Sequence, residues 1–147
     1  MAKASVTETF KCTPEELFKI VTDYHRYPEF LTEVKKCDVV KSEGNKKLVE
    51  YQVAMIKTVN YKLQMHENYV ENGTSTVNWE FVSGDVFKSL KGSWKIEAEG
   101  SGCRATYDIE ASFGMFVPGP IANTLVNVSM PNMISSYHKR IKQIYGK

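Results

Sequence analysis

Apolar and polar positions alternate through most of the chain between residues 47 and 113, and this period of two predicts a succession of amphipathic strands. Val49, Tyr51, Val53 and Met55 share one face of a first such strand. Val59, Tyr61, Leu63, Met65, Glu67 and Tyr69 share one face of the longest. Asn72-Gly73 predicts a two-residue hairpin turn, after which Val77, Trp79 and Phe81 return antiparallel. Leu90, Trp94, Ile96 and Ala98, with Gly92 in their middle, form a further row. Glu99-Gly100-Ser101-Gly102 then turns the chain into Ala105, Tyr107, Ile109, Ala111 and Phe113. Ahead of this series, Val39 anchors a strand that ends at the turn cluster Ser42-Glu43-Gly44-Asn45. Short connections between successive strands imply a meander with one apolar and one wet face, and such a sheet needs a cover.

The two ends of the chain supply helices. Val6 and Phe10 alternate with polar neighbours in a strand over residues 3–11. Thr13-Pro14-Glu15-Glu16 then opens a short helix: Thr13 caps it, Glu16 completes a capping box and Pro14 suits the first helical position. Leu17, Phe18 and Val21 form its buried side, and a second brief helical turn follows at residues 24–31. Ile134, Tyr137, Ile141 and Ile144 are spaced three, four and three, a helical stripe that covers the sheet. Pro131 predicts a kink or break, leaving residues 123–129 as a separate helical piece.

Composition changes this picture little. With 147 residues, 42% of them hydrophobic and 24% charged, the chain reads as a single domain over residues 1–147. A net charge of +2 does not point to a DNA partner. Cys12, Cys37 and Cys103 lack metal-ligand spacing and read as reduced thiols, which points to the cytoplasm, as does the lack of an apolar leader at the start. No nucleophile elbow, phosphate loop, dinucleotide fingerprint or His-Glu-x-x-His sequence is present, so neither catalytic residue, cofactor nor metal is expected.

Three stretches together resemble the START-like (SRPBCC) superfamily, in its polyketide cyclase/dehydrase and coenzyme-Q-binding branch. Tyr24-His25-Arg26-Tyr27-Pro28-Glu29-Phe30-Leu31 looks like that branch's tyrosine-proline-x-phenylalanine-leucine stretch, although Thr32 stands where coenzyme-Q members commonly carry proline. Phe87-Lys88-Ser89-Leu90-Lys91-Gly92-Ser93-Trp94 is similar to its glycine-before-tryptophan strand, and Tyr137-His138-Lys139-Arg140-Ile141 to its aromatic-x-x-arginine helix end. The resemblance implies an α+β helix-grip fold: a curved seven-stranded antiparallel sheet wrapped around a long C-terminal helix, with two short helices after the first strand. It implies binding or carriage of a hydrophobic small molecule, such as a lipid, a quinone or a polyketide-like aromatic. An aromatase/cyclase enzyme and a ribosome-associating toxin are the other classes it leaves open.

The expected site is a pocket between the apolar sheet face and the terminal helix. Its walls would be Tyr51, Val53, Tyr61, Leu63, Trp79, Trp94, Tyr107 and Ile109, with Ile134 and Tyr137 from the helix. The alternative is that these residues pack as a solid core, which periodicity alone does not distinguish. Glu67 occupies an inward position, where a carboxylate would have a raised pKa and could bind or protonate a ligand oxygen; otherwise the strand has reached the rim there and Glu67 is wet. Glu8 has a similar parity. Gly114-Met115-Phe116-Val117-Pro118-Gly119-Pro120 reads as a mouth-lining gate, with Phe116 reaching the ligand, or as a patch touching a membrane. Tyr27, Phe30 and Leu31 would form the opposite lip. Lys35, Lys36, Lys46, Lys47, Lys139, Arg140 and Lys142 form either a solvated face or a ribosome-facing one.

Overall fold

The computed structural model describes residues 2–54, 58–114 and 119–147, with side chains described for 3–54, 58–114 and 130–147. Strand β1 (Ala2–Phe10) leads into helix α1 (Pro14–Val21) and a 3-10 turn at Tyr24–Glu29. Six strands follow: β2 (Val34–Glu43), β3 (Lys46–Ala54), β4 (Thr58–Asn68), β5 (Ser75–Gly84), β6 (Phe87–Glu99) and β7 (Gly102–Phe113). Helix α2 (Gly119–Tyr145) closes the order. The strands form one antiparallel sheet, β1-β7-β6-β5-β4-β3-β2, in which β2 to β7 meander and β1 pairs with β7. Among the described residues no helix is long and apolar enough to cross a membrane.

The start of α1 follows from local chemistry. The Thr13 hydroxyl accepts from the Glu16 backbone N–H at 3.1 Å, and the Glu16 carboxylate accepts from the Thr13 N–H at 2.9 Å, with Pro14 leading the first turn. Leu17, Ile20 and Val21 are thereby turned inward. They join Phe10, Val49, Val77, Ile96 and Cys103 in a solid core at one half of the sheet's inner face. All three cysteines are free and buried.

Four expectations about the elements need correction. Helix α2 runs unbroken through Pro131, with no separate piece at 123–129. A proline there forfeits one backbone hydrogen bond, which a long helix anchored by buried Ile134, Tyr137 and Ile141 tolerates. Ile144, placed in that stripe, is 48% exposed; Tyr145 packs against the core in its place. The β4–β5 connection is also longer than a two-residue turn, since β4 ends at Asn68 and β5 begins at Ser75. Asn72 does take a left-handed φ of 59°, but the loop is closed by Ser75, whose hydroxyl accepts from the Val70 N–H at 2.9 Å. Tyr69 accordingly leaves the sheet's inner row and lies 5.3 Å from Phe18. Met55 lies outside the described residues.

Candidate functional site

The inner face of the sheet changes character along each strand. On β5, Val77 belongs to the solid core, whereas Trp79, two residues on, faces a cavity. On β6 the change falls between Ile96 and Trp94, and on β7 between Ala105 and Tyr107. The cavity has a volume of about 290 Å³ and lies between the sheet and α2. β3 contributes Tyr51 and Val53, β4 Tyr61, Leu63 and Met65, and β7 Tyr107, Ile109, Ala111 and Phe113. Helix α2 contributes Met130, Met133 and Tyr137, spaced three and four residues apart and so on one helical face.

Register sets the wall's geometry. Tyr51 is directly opposite Tyr61, and their rings stack with centroids 5.1 Å apart at 12°. Trp94 is opposite Tyr107, with centroids 5.0 Å apart at 63°. Trp79 is opposite Gly92, and the missing side chain lets the indole lie across that strand: a Cβ on Gly92 would fall 2.5 Å from Trp79 Cζ2. Together the cross-strand pairs make a broad aromatic surface.

The tyrosine hydroxyls divide into two groups. Tyr24 donates to the Glu67 carboxylate at 2.6 Å, Tyr27 donates to the Val21 carbonyl, and Tyr51 lies 3.8 Å from the Met65 sulfur. Tyr137 lies within hydrogen-bonding reach of Tyr27, and Tyr61 and Tyr107 stand with it on the cavity wall. Burial pushes the pKa of Tyr61, Tyr107 and Tyr137 well above the ordinary tyrosine value, so at neutral pH all three are uncharged donors.

Nine of the residues expected from the sequence line this cavity; Ile134 and Glu67 do not. Ile134 is buried but faces the core beside Tyr137, one position round the helix from the lining row. Glu67 lies beyond Met65, where β4 has left the cavity. Its carboxylate accepts from Tyr24 on one oxygen and from Lys47 Nζ, at 3.0 Å, on the other, so its polar demand is met inside the fold. Phe116 and most of the expected gate lie outside the described residues. Of the opposite lip, Tyr27 and Leu31 line the cavity, while Phe30 packs 5.2 Å from Tyr137 and carries Arg140 5.1 Å above its ring. Glu8 sits 3.5 Å from His138.

Sequence reasoning missed Met130 and Met133, although their spacing to Tyr137 is helical, and Thr32, Glu33 and Val34, which carry no periodic signal. Among the basic positions, Lys47 is paired with Glu67 and Arg140 with Glu29 at 2.9 Å; both are largely buried and take no part in an open cationic face. Among the described residues no cluster of His, Cys, Asp and Glu could hold a metal ion.

Residues 11–136 match the family described as polyketide cyclase/dehydrase and lipid transport. The chain belongs to this family. Its fold is the helix-grip fold of START proteins: a START superfamily protein from Mycobacterium smegmatis superposes with a TM-score of 0.83 at 18% identity, covering 98% of this chain and 99% of that one. Human StAR-related lipid transfer protein 5 superposes with a TM-score of 0.85 at 12% identity, over 97% of this chain and 76% of its own. In sequence, the chain is 26% identical to a protein named ribosome association toxin RatA, from Vibrio cholerae, over the full length of both. The coenzyme-Q branch suggested by the sequence motifs finds no specific support in these likenesses.

Proposed function

We propose that this protein binds or carries a hydrophobic small molecule in the cavity between its sheet and α2. The observation that carries this reading is the abrupt change along β5, β6 and β7 from solid core to an open space walled by aromatic side chains. A chain selected only for stability would fill such a space, because an internal void forfeits contacts on every side. The family's description, which includes lipid transport, supports the same reading. The residues contacting the ligand are Tyr51, Tyr61, Trp79, Trp94, Tyr107 and Ile109 on the sheet, and Tyr137 on the helix. Affinity comes from apolar surface removed from water at roughly 25 cal/mol per Å².

Prodan, a neutral naphthyl ketone with polarity-sensitive emission, tests the reading. Its emission should shift to the blue on titration with the protein, and Ile109→Trp, which fills the cavity, should abolish the shift. An undiminished shift in that variant would place binding elsewhere.

Full-length likeness to a ribosome association toxin favours a second reading, contact with ribosomes. Sedimentation of the protein with ribosomal particles through a sucrose gradient tests it, and the bound fraction should fall steeply with salt. A cyclase activity would have to use the same wall, whose tyrosines are donors rather than bases at neutral pH.

A further inference from the structure

The sheet is open, and its two edges are β1 and β2. β1 is attended by α2: His138 sits 3.5 Å from Glu8, and its ring 4.6 Å from that of Phe10. β2 pairs with β3 on one side, and on its other side no strand of this chain meets its backbone N–H and C=O groups. Every residue from Asp38 to Glu43 is exposed, Val39 by 40% and Val40 by 49%. A strand added along this edge would gain main-chain hydrogen bonds and cover the two valines.

The charges say which strand fits. A β-bulge leaves Val40 without a partner on β3, because Val39 pairs with Val49 and Lys41 with Leu48. The bulge resets the alternation of faces. Lys36 and Asp38 before it, and Lys41 and Glu43 after it, stand opposite Gln52, Glu50, Leu48 and Lys46, all on the outer face of the sheet. Their signs alternate along the strand, plus, minus, plus, minus.

A second copy of β2, laid antiparallel about a two-fold axis between Val39 and Val40, keeps every residue on its own face. It sets Lys36 opposite Glu43 and Asp38 opposite Lys41, with Val39 against Val40 at the centre. Slipping the register by one outer position sets lysine against lysine and acid against acid, and so does parallel pairing in register. Lysines and bulges ordinarily keep an edge from pairing. Here their order admits one register and excludes its neighbours.

In a single copy these charges are poorly matched. Lys41 reaches Glu43 at 3.1 Å, an exposed pair on one strand that contributes little. Asp38 stands opposite a like charge, Glu50, whose own cation is Lys62 at 3.8 Å. Among the described residues Lys36 and Asp38 have no ion-pair partner.

We propose that β2 is a self-complementary interface, through which two copies of this chain join their sheets edge to edge, antiparallel, about a two-fold axis between Val39 and Val40.

An interface one strand wide is small, so the dimer should form reversibly as concentration rises. Sedimentation velocity over a concentration series tests this with two variants. Lys36→Glu/Lys41→Glu leaves only acids at the outer positions, and Asp38→Lys/Glu43→Lys leaves only lysines there. Both change exposed side chains, so each should keep wild-type tryptophan emission. Each alone should repel its own copy and raise the dimer dissociation constant more than about tenfold. Mixed in equal amounts, the two should dimerise again, because every acid then meets a lysine in the same register. Wild type that stays monomeric up to its highest soluble concentration overturns the second copy as occupant and leaves the edge to a foreign strand. Undiminished dimers in either variant alone overturn the proposal by placing the contact elsewhere on the molecule. A mixture that stays monomeric overturns the register.

Discussion

Glu16 serves two partners with one carboxylate oxygen. It accepts from the Thr13 N–H, completing the cap of α1, and from Lys147 Nζ at 2.9 Å, tying the end of the chain to the start of that helix. The Lys147 interaction and then the Thr13 backbone hold its pKa below the ordinary 4.5. A carboxylate with a lowered folded-state pKa gives stability that is complete above its unfolded value and lost as pH falls through the lowered one. Glu16→Gln keeps an acceptor for the cap but discards the charge. Urea unfolding should therefore separate variant from wild type at pH 7, and the gap should begin to close only as pH falls below the ordinary 4.5. Thr13→Ala removes the other half of the box and should cost about 1 kcal/mol at either pH. This capping box was legible because its members are neighbours. The Glu67 cluster was not: its partners Lys47 and Tyr24 stand 20 and 43 positions away, and nothing local says that an inward carboxylate will find them. Tyr24→Phe deletes a hydrogen bond to a charged group and should cost about 1.5–3 kcal/mol in chemical denaturation. Prodan binding should be untouched, because this tyrosine lies outside the cavity wall.

Among the elements, β6 illustrates how a strand shapes the site without a side chain. Gly92 faces Trp79 directly across the β5–β6 pair, and a Cβ there would run into both the indole and the Asp108 carbonyl. Gly92→Ala should destabilise the fold by about 1–3 kcal/mol, the usual cost of overpacking. It should also tilt Trp79, seen as a change in tryptophan emission and a weaker Prodan signal. The meander could be read from the sequence since each strand keeps a strict period of two, and a half-buried antiparallel sheet imposes that period. Two features at element scale were illegible for physical reasons. The unbroken α2 depends on tertiary anchoring by Ile134, Tyr137 and Ile141, which outweighs a single proline. The division between solid core and cavity is invisible to periodicity, since Val77 and Trp79 occupy equivalent inward positions and differ only in what lies opposite.

For the whole molecule, α1 and the 3-10 turn close one half of the inner face, and α2 spans the other without filling it. An open space of about 290 Å³ costs stability, because the side chains around it lack contacts that a filled core would supply. Function and stability should then trade off at this one place, and a single substitution exposes the exchange. Ile109→Trp adds a ring to the cavity from a residue already lining it, so the ligand-free variant should melt at or above the temperature of ligand-free wild type. Ligand reverses the ranking. A molecule present at a hundred times its dissociation constant stabilises the folded state by about 2.7 kcal/mol. In a domain of this size that amounts to a rise in Tm of roughly 5–10 °C. Wild type should show that rise with Prodan, and Ile109→Trp should show none, in paired differential scanning calorimetry runs. A variant that melts early and still responds to ligand would mean that position 109 is packed core and that the space accepting the ligand lies elsewhere.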